Sequence, residues 1–141
     1  MKKRIILCPA DYSGSTEPAI DLAVDLAKAK PSKIVLLHVI EPGGNAVSID
    51  ERRVNQVQER LRAQQLDLND IDHEEVTRHG DPAKITIEYA KRHGADLIVM
   101  GTHGRTGLSS LVTGSVAKKV MAGASCTVVT VKLPSLATVN S

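Results

Sequence analysis

The sequence predicts an open, mostly parallel α/β sheet with right-handed crossovers, and three observations carry that expectation. Short apolar runs alternate with longer amphipathic ones, five of the first kind with four of the second, and no linker interrupts them. The second apolar run, Lys33 to Ile40, is hydrophobic almost throughout and rich in β-branched residues, as strands covered on both faces are. The chain has 141 residues, 42% of them hydrophobic and 24% charged, which suits one domain with a sizeable core.

Each element follows from its own residues. Ile5 to Pro9 reads as a buried first strand. Ala19, Leu22, Ala23, Leu26 and Ala27 then recur at i, i+3, i+4, i+7 and i+8, the spacing of one helical face. Ser15 or Thr16 can cap that helix, with Glu17 and Pro18 in its first turn. After the second strand, a loop from Glu41 to Val47 carries Pro42, Gly43, Gly44 and Asn45. A polar helix is expected from about Ser48 to Leu68, with Val54, Val57 and Leu61 as a narrow inner stripe and Asp50 to Arg62 as a solvated face.

Glu74 to Arg78 has the charge of an edge strand. Asp81-Pro82 starts the next helix, with Asp as the cap and proline in the first helical position, and Gly94 stops it. Ala83, Ile87 and Ala90 should face inward from it. Leu97 to Met100 is a strand that ends on Gly101. Val116, Ala117, Val120, Met121 and Ala124 mark the inner face of a last helix, and Val128 to Val131 form the last strand. The whole chain, residues 1–141, reads as a single domain in which 133–141 is a flexible polar tail.

Composition excludes several functions. Lys and Arg total 18 against 16 Asp and Glu, a formal charge of +2 that gives no basic footprint for nucleic acid. Aromatic residues are 1% of the chain, too few for base-stacking platforms. Cys8 and Cys126 sit in separate apolar runs and read as buried, inert thiols in a reducing compartment. His73, His79 and His93 lack metal-ligand spacing, and no metal site is expected. The basic start Met1-Lys2-Lys3-Arg4 is followed by an apolar stretch that ends at Pro9, short of the roughly 7–15 residues of a signal peptide. No run reaches the ~20 apolar residues of a membrane span. The expectation is a soluble, cytoplasmic protein without membrane insertion.

In open α/β sheets ligands bind beyond the carboxyl ends of the strands, where strand order reverses. Three segments leave such ends: Pro9-Ala10-Asp11 with Tyr12 to Ser15, the stretch from Val39 to Gly44, and Gly101 to Gly107 running on to Ser115. In the third, Gly104 and Gly107 let backbone approach a ligand without a Cβ. Gly114-Ser115 then opens a helix whose free N–H groups and dipole favour an anion. Together these make a phosphate cradle, with Arg105 in reach of a terminal phosphate.

Gly101-x-x-Gly104, nine intervening residues and Gly114-Ser115 resemble the nucleotide-binding motif of the universal stress protein family. So do the text "GTHGRTGLSSLVTGSVAKKVM", the Asp after the first strand, "LLHVIE" and "GDPAKITIEYAKRHGADLIVMG". The resemblance covers roughly residues 3 to 132 and implies a five-stranded parallel sheet of order 3-2-1-4-5 with helices on both faces, a Rossmann-type fold like that of the adenine nucleotide alpha hydrolases. It implies that Pro9, Ala10 and Asp11 line the ribose and adenine side, and that the Val39 backbone meets the adenine ring. It further implies that Gly101, Gly104, Gly114 and Ser115 hold ribose and phosphates, with Met100 and Val116 as neighbours; Arg105 and Gly107 join the same nucleotide site from the reading of the loop itself. The ligand implied is ATP, with Mg, ADP or AMP as variants, and the partner is a second copy joined through the last strand, about Thr127 to Lys132. Two positions depart from the family pattern: Tyr12-Ser13 stand where many members have Gly-Ser, and Thr127 follows Cys126 where many have proline.

Two other classes compete. An ATP pyrophosphatase-type enzyme is suggested by Ser13-Gly14-Ser15, but that loop lacks a second consecutive glycine. A family member acting purely as an interaction module would lack the glycine motif, which this chain has. His103 has no carboxylate or nucleophile placed to orient it, so it reads as a surface-loop residue rather than a base. The expectation is a nucleotide-dependent stress or regulatory protein rather than an enzyme. At most it would show weak ATP hydrolysis or self-phosphorylation, through Ser109, Ser110, Thr113 or Ser115.

Overall fold

A computed structural model of the chain describes residues 3–10, 16–42, 71–102 and 114–132. Its strands are β1 (Arg4–Pro9), β2 (Ser32–Ile40), β3 (Asp72–His79), β4 (Leu97–Gly101) and β5 (Thr127–Val131), and its helices are α1 (Thr16–Ala29), α2 (Pro82–His93) and α3 (Ser115–Gly123). The strands form one sheet of order β3-β2-β1-β4-β5, and every pairing is parallel. The helix expected over 48–68 and the tail 133–141 lie outside the described residues.

Both faces of the inner strands β2, β1 and β4 are covered. Ile6, Cys8, Ile34, Leu36 and Val99 point to the side occupied by α1. Leu7, Val35, Leu37, Ile98 and Met100 point to the side occupied by α2 and α3. This is why β2 shows no polar alternation: six consecutive described residues from Ile34 to Val39 are buried or half-buried on one face or the other. The sheet is anchored at its amino ends. Asp96 accepts the Ile5 N–H at 2.8 Å and returns its own N–H to the Ile5 carbonyl at 2.9 Å, which locks β4 beside β1. Arg4 donates to the Leu26 carbonyl at 2.7 Å and to the Ser32 hydroxyl at 3.0 Å, holding the end of α1 on the start of β2.

The two sheet edges differ. β3 is exposed at seven of its eight positions, with only Val76 half-buried, and Lys33 pairs with Glu74 at 3.2 Å across the β2–β3 ladder. β5 carries no charged residue, and four of its five side chains are half-buried.

Helix phases correct the sequence expectation in three places. On α1, Ile20 and Val24 join Ala19, Ala23 and Ala27 in the core, while Leu22 and Leu26 are half-buried at its margin. On α2, Thr86 and Tyr89 are buried with Ala83 and Ala90, and Ile87 turns to the flank facing α3, where it approaches Gly123. On α3, Ala117 and Val120 are buried and Val116 packs against the core, while Met121 is 45% exposed rather than inward. Thr86 is accommodated because its hydroxyl donates to the Pro82 carbonyl at 2.7 Å. Tyr89 lies stacked on His93, ring centroids 4.0 Å apart, with the Arg78 guanidinium 5.7 Å from its ring centre.

The α2 caps are as the sequence predicts. The Asp81 carboxylate accepts the Lys84 N–H at 2.9 Å, and Gly94 adopts a left-handed conformation at φ 66°. Asp81→Ala should therefore cost about 1 kcal/mol in urea denaturation. Gly94→Ala should cost a similar amount through its strained backbone even though the site is sterically open.

Candidate functional site

In the all-parallel order β3-β2-β1-β4-β5 the strands are added outward in one direction from β1 to β3 and in the other from β4 to β5, so the carboxyl ends of β1 and β4 form the crevice where α/β sheets bind ligands. The sequence-predicted residues that fall in the described part gather around this crevice. Pro9 ends β1, Met100 and Gly101 end β4, Val39 lies near the end of β2, and Gly114, Ser115 and Val116 open α3. Asp11, Gly104, Arg105 and Gly107 lie outside the described residues, as do His103, Ser109, Ser110 and Thr113.

Ala10, the covalent neighbour of Asp11, is held from β2. Its N–H donates to the Leu37 carbonyl at 2.8 Å, and its own carbonyl lies 3.0 Å from His38 Nδ1. His38 is thus the satisfied core residue its apolar surroundings suggest, 7% exposed, but it also fixes the chain at the point where it leaves β1. That second role depends on the β1–β2 register pairing Pro9 with Leu37, which the sequence does not display.

Thr102, at the end of β4, joins three elements. Its N–H donates to the Val131 carbonyl at 3.0 Å, its hydroxyl lies 3.4 Å from the same oxygen, and its carbonyl accepts the Gly114 N–H. The start of α3 is thereby held against the end of β4. Gly114, at φ −57° and ψ 148°, caps α3 without any side-chain hydrogen bond, and no acidic residue occupies the first turn. Intrahelical bonding begins with Lys118 N–H on the Gly114 carbonyl at 3.1 Å, so the Ser115, Val116 and Ala117 amides have no partner within the helix. With the helix dipole they offer partial positive charge to an anion. α2 is different, because Asp81 already fills its amino end.

Cys8, two residues before Ala10, is fully buried, and burial pushes its thiol up to about 12. It is a packed core atom rather than a nucleophile. Cys126 is only half-buried, more open than the sequence suggests, and its thiol is also raised, chiefly by burial. A separate cleft of about 420 Å³, lined in part by Lys3, Lys28, Ser32 and Asp72, opens at the amino ends of the strands, opposite the crevice. No helix among the described residues is long and apolar enough to cross a membrane, and no three metal-ligating side chains cluster there.

Comparison with known proteins finds the universal stress protein family model over residues 3–132. Universal stress protein MJ0531 of Methanocaldococcus jannaschii is 32% identical over 94% of this chain and 83% of its own. The solved structure of universal stress protein UspA from Lactobacillus plantarum superposes with a TM-score of 0.74 at 22% identity, covering 93% of this chain and 99% of that one. A universal stress protein from Archaeoglobus fulgidus, solved in complex with dAMP, superposes with a TM-score of 0.62 at 20% identity, covering 92% and 97%.

The buried thiol gives the fold an alkaline limit. Below the ordinary thiol value of 9.0 folded and unfolded chains both keep the Cys8 proton; between 9.0 and about 12 only the folded chain does. Stability should therefore fall with rising pH across that window, by up to ~1.4 kcal/mol per pH unit from this group. Denaturation of the wild type against Cys8→Ala should show the variant with the shallower alkaline slope.

Proposed function

The chain belongs to the universal stress protein family, and on that premise we propose that it binds an adenine nucleotide at the β1–β4 crevice and acts as a nucleotide-dependent stress or regulatory protein. One observation carries this reading: the Gly114–Thr102 bond holds a helix amino end that has no side-chain cap and no acidic residue in its first turn against the carboxyl end of β4. An anion at that point would meet amides that have no partner within the helix, and a favourable dipole. The dAMP complex of the Archaeoglobus fulgidus protein supports an adenine nucleotide as that anion.

On this reading Pro9, Ala10, Asp11 and Val39 form the adenine and ribose side. Met100, Gly101, Gly104, Arg105, Gly107, Gly114, Ser115 and Val116 form the ribose and phosphate side. The proposed ligand is ATP, with ADP or AMP as weaker alternatives and any Mg carried on the phosphates. The protein works as a binder in the cytoplasm; hydrolysis or self-phosphorylation is at most a slow side reaction.

The same reading makes the protein a homodimer through β5. That edge is uncharged, in contrast to β3, whose exposed charges discourage strand pairing.

Gly114 tests the nucleotide reading cleanly, because its φ of −57° is open to any residue and a valine there should fold. Wild-type protein denatured after purification should release adenine nucleotide, and Gly114→Val should release little. A wild type that is empty and ignores millimolar ATP would defeat the reading. Light scattering should give twice the 15.1 kDa chain mass, and Thr130→Lys should shift the protein to monomer while nucleotide content is kept.

A further inference from the structure

We infer that Thr102 is the positioning residue of the proposed phosphate site: it ties the last residue of β5 to the first turn of α3, so that the helix amides point where the anion sits. The inference rests on the nucleotide reading for its function and on geometry for its mechanism.

The geometry is specific. Thr102 is 4% exposed, and its N–H and hydroxyl converge on a single acceptor, the Val131 carbonyl, at 3.0 and 3.4 Å. Its carbonyl receives the Gly114 N–H. One residue thus anchors both ends of its connection, the sheet through β5 and the helix through its cap. Gly114 has no side chain with which to cap α3, so its backbone bond to Thr102 is what holds it to the strand end. A β-branched side chain suits this place, because its stiff χ1 keeps the hydroxyl aimed at the carbonyl. Valine at the same position has nearly the same shape and lacks only the hydroxyl.

The test compares wild type, Thr102→Val and Thr102→Ser by amide hydrogen exchange and by ATP titration. In Thr102→Val the Gly114 amide should exchange roughly two- to tenfold faster, the range expected for one hydroxyl hydrogen bond. The buried Val99 amide should serve as an unchanged internal reference. ATP affinity should fall by a similar factor, and Thr102→Ser should restore both. A Thr102→Val protein in which Gly114 is unchanged, or in which Gly114 and Val99 accelerate together, overturns the assignment, since the threonine would then be ordinary packing. Failure of the wild type to bind ATP defeats the nucleotide reading alone, and the exchange of Gly114 still decides the positioning. Should the valine variant not fold, wild-type exchange decides: the Thr102 and Gly114 amides should open with one common free energy, and unequal openings refute the link.

Discussion

Burial of both faces of the inner strands β2, β1 and β4 is the constraint on which the rest of this structure depends. With α1 on one side and α2 and α3 on the other, the strand faces have no room for chemistry. Polar function is confined to the strand ends and the two edge strands. At the amino ends the polar groups are structural, as Asp96 on Ile5 and Arg4 on Leu26 illustrate. At the carboxyl ends the backbone is arranged around β1 and β4, and the first amides of α3, which have no partner within the helix, stand there.

Within that frame, a few main-chain bonds set the geometry of the crevice. Ala10 is held by β2 through Leu37 and His38, and Gly114 is held by β4 through Thr102. Neither tie is an ion pair, so the frame does not rest on attractions that salt screens. On the proposed reading, specificity for the nucleotide would come from residues beyond this frame, a division of labour common to α/β sheets.

The fold was legible because its signals are local. β2 announces two-sided burial by its unbroken apolar run, β3 announces an edge by its charge, and Asp81-Pro82 and Gly94 mark α2 at both ends. What the sequence hid was set by neighbours it does not name. Met121 and Val116 lie at similar angles from the centre of the α3 apolar stripe, yet Val116 packs against the core and Met121 is 45% exposed, a choice made by how the helix is set on the sheet. Likewise the glycine spacing pointed to the phosphate side, whereas the roles of Thr102 and His38 arise from contacts with Val131 and Ala10, 29 and 28 residues away. No motif spacing encodes such contacts.

The near absence of aromatic residues, with no tryptophan or phenylalanine and two tyrosines, has an optical consequence. Tyr89 is stacked on His93 beside Arg78, on the flank of α2 that faces β3. The polypeptide is therefore almost transparent in the near ultraviolet, and an adenine ring carried by it would dominate the absorption spectrum. Occupancy is then visible in the ultraviolet trace of a purified sample, without a label and without disturbing the fold.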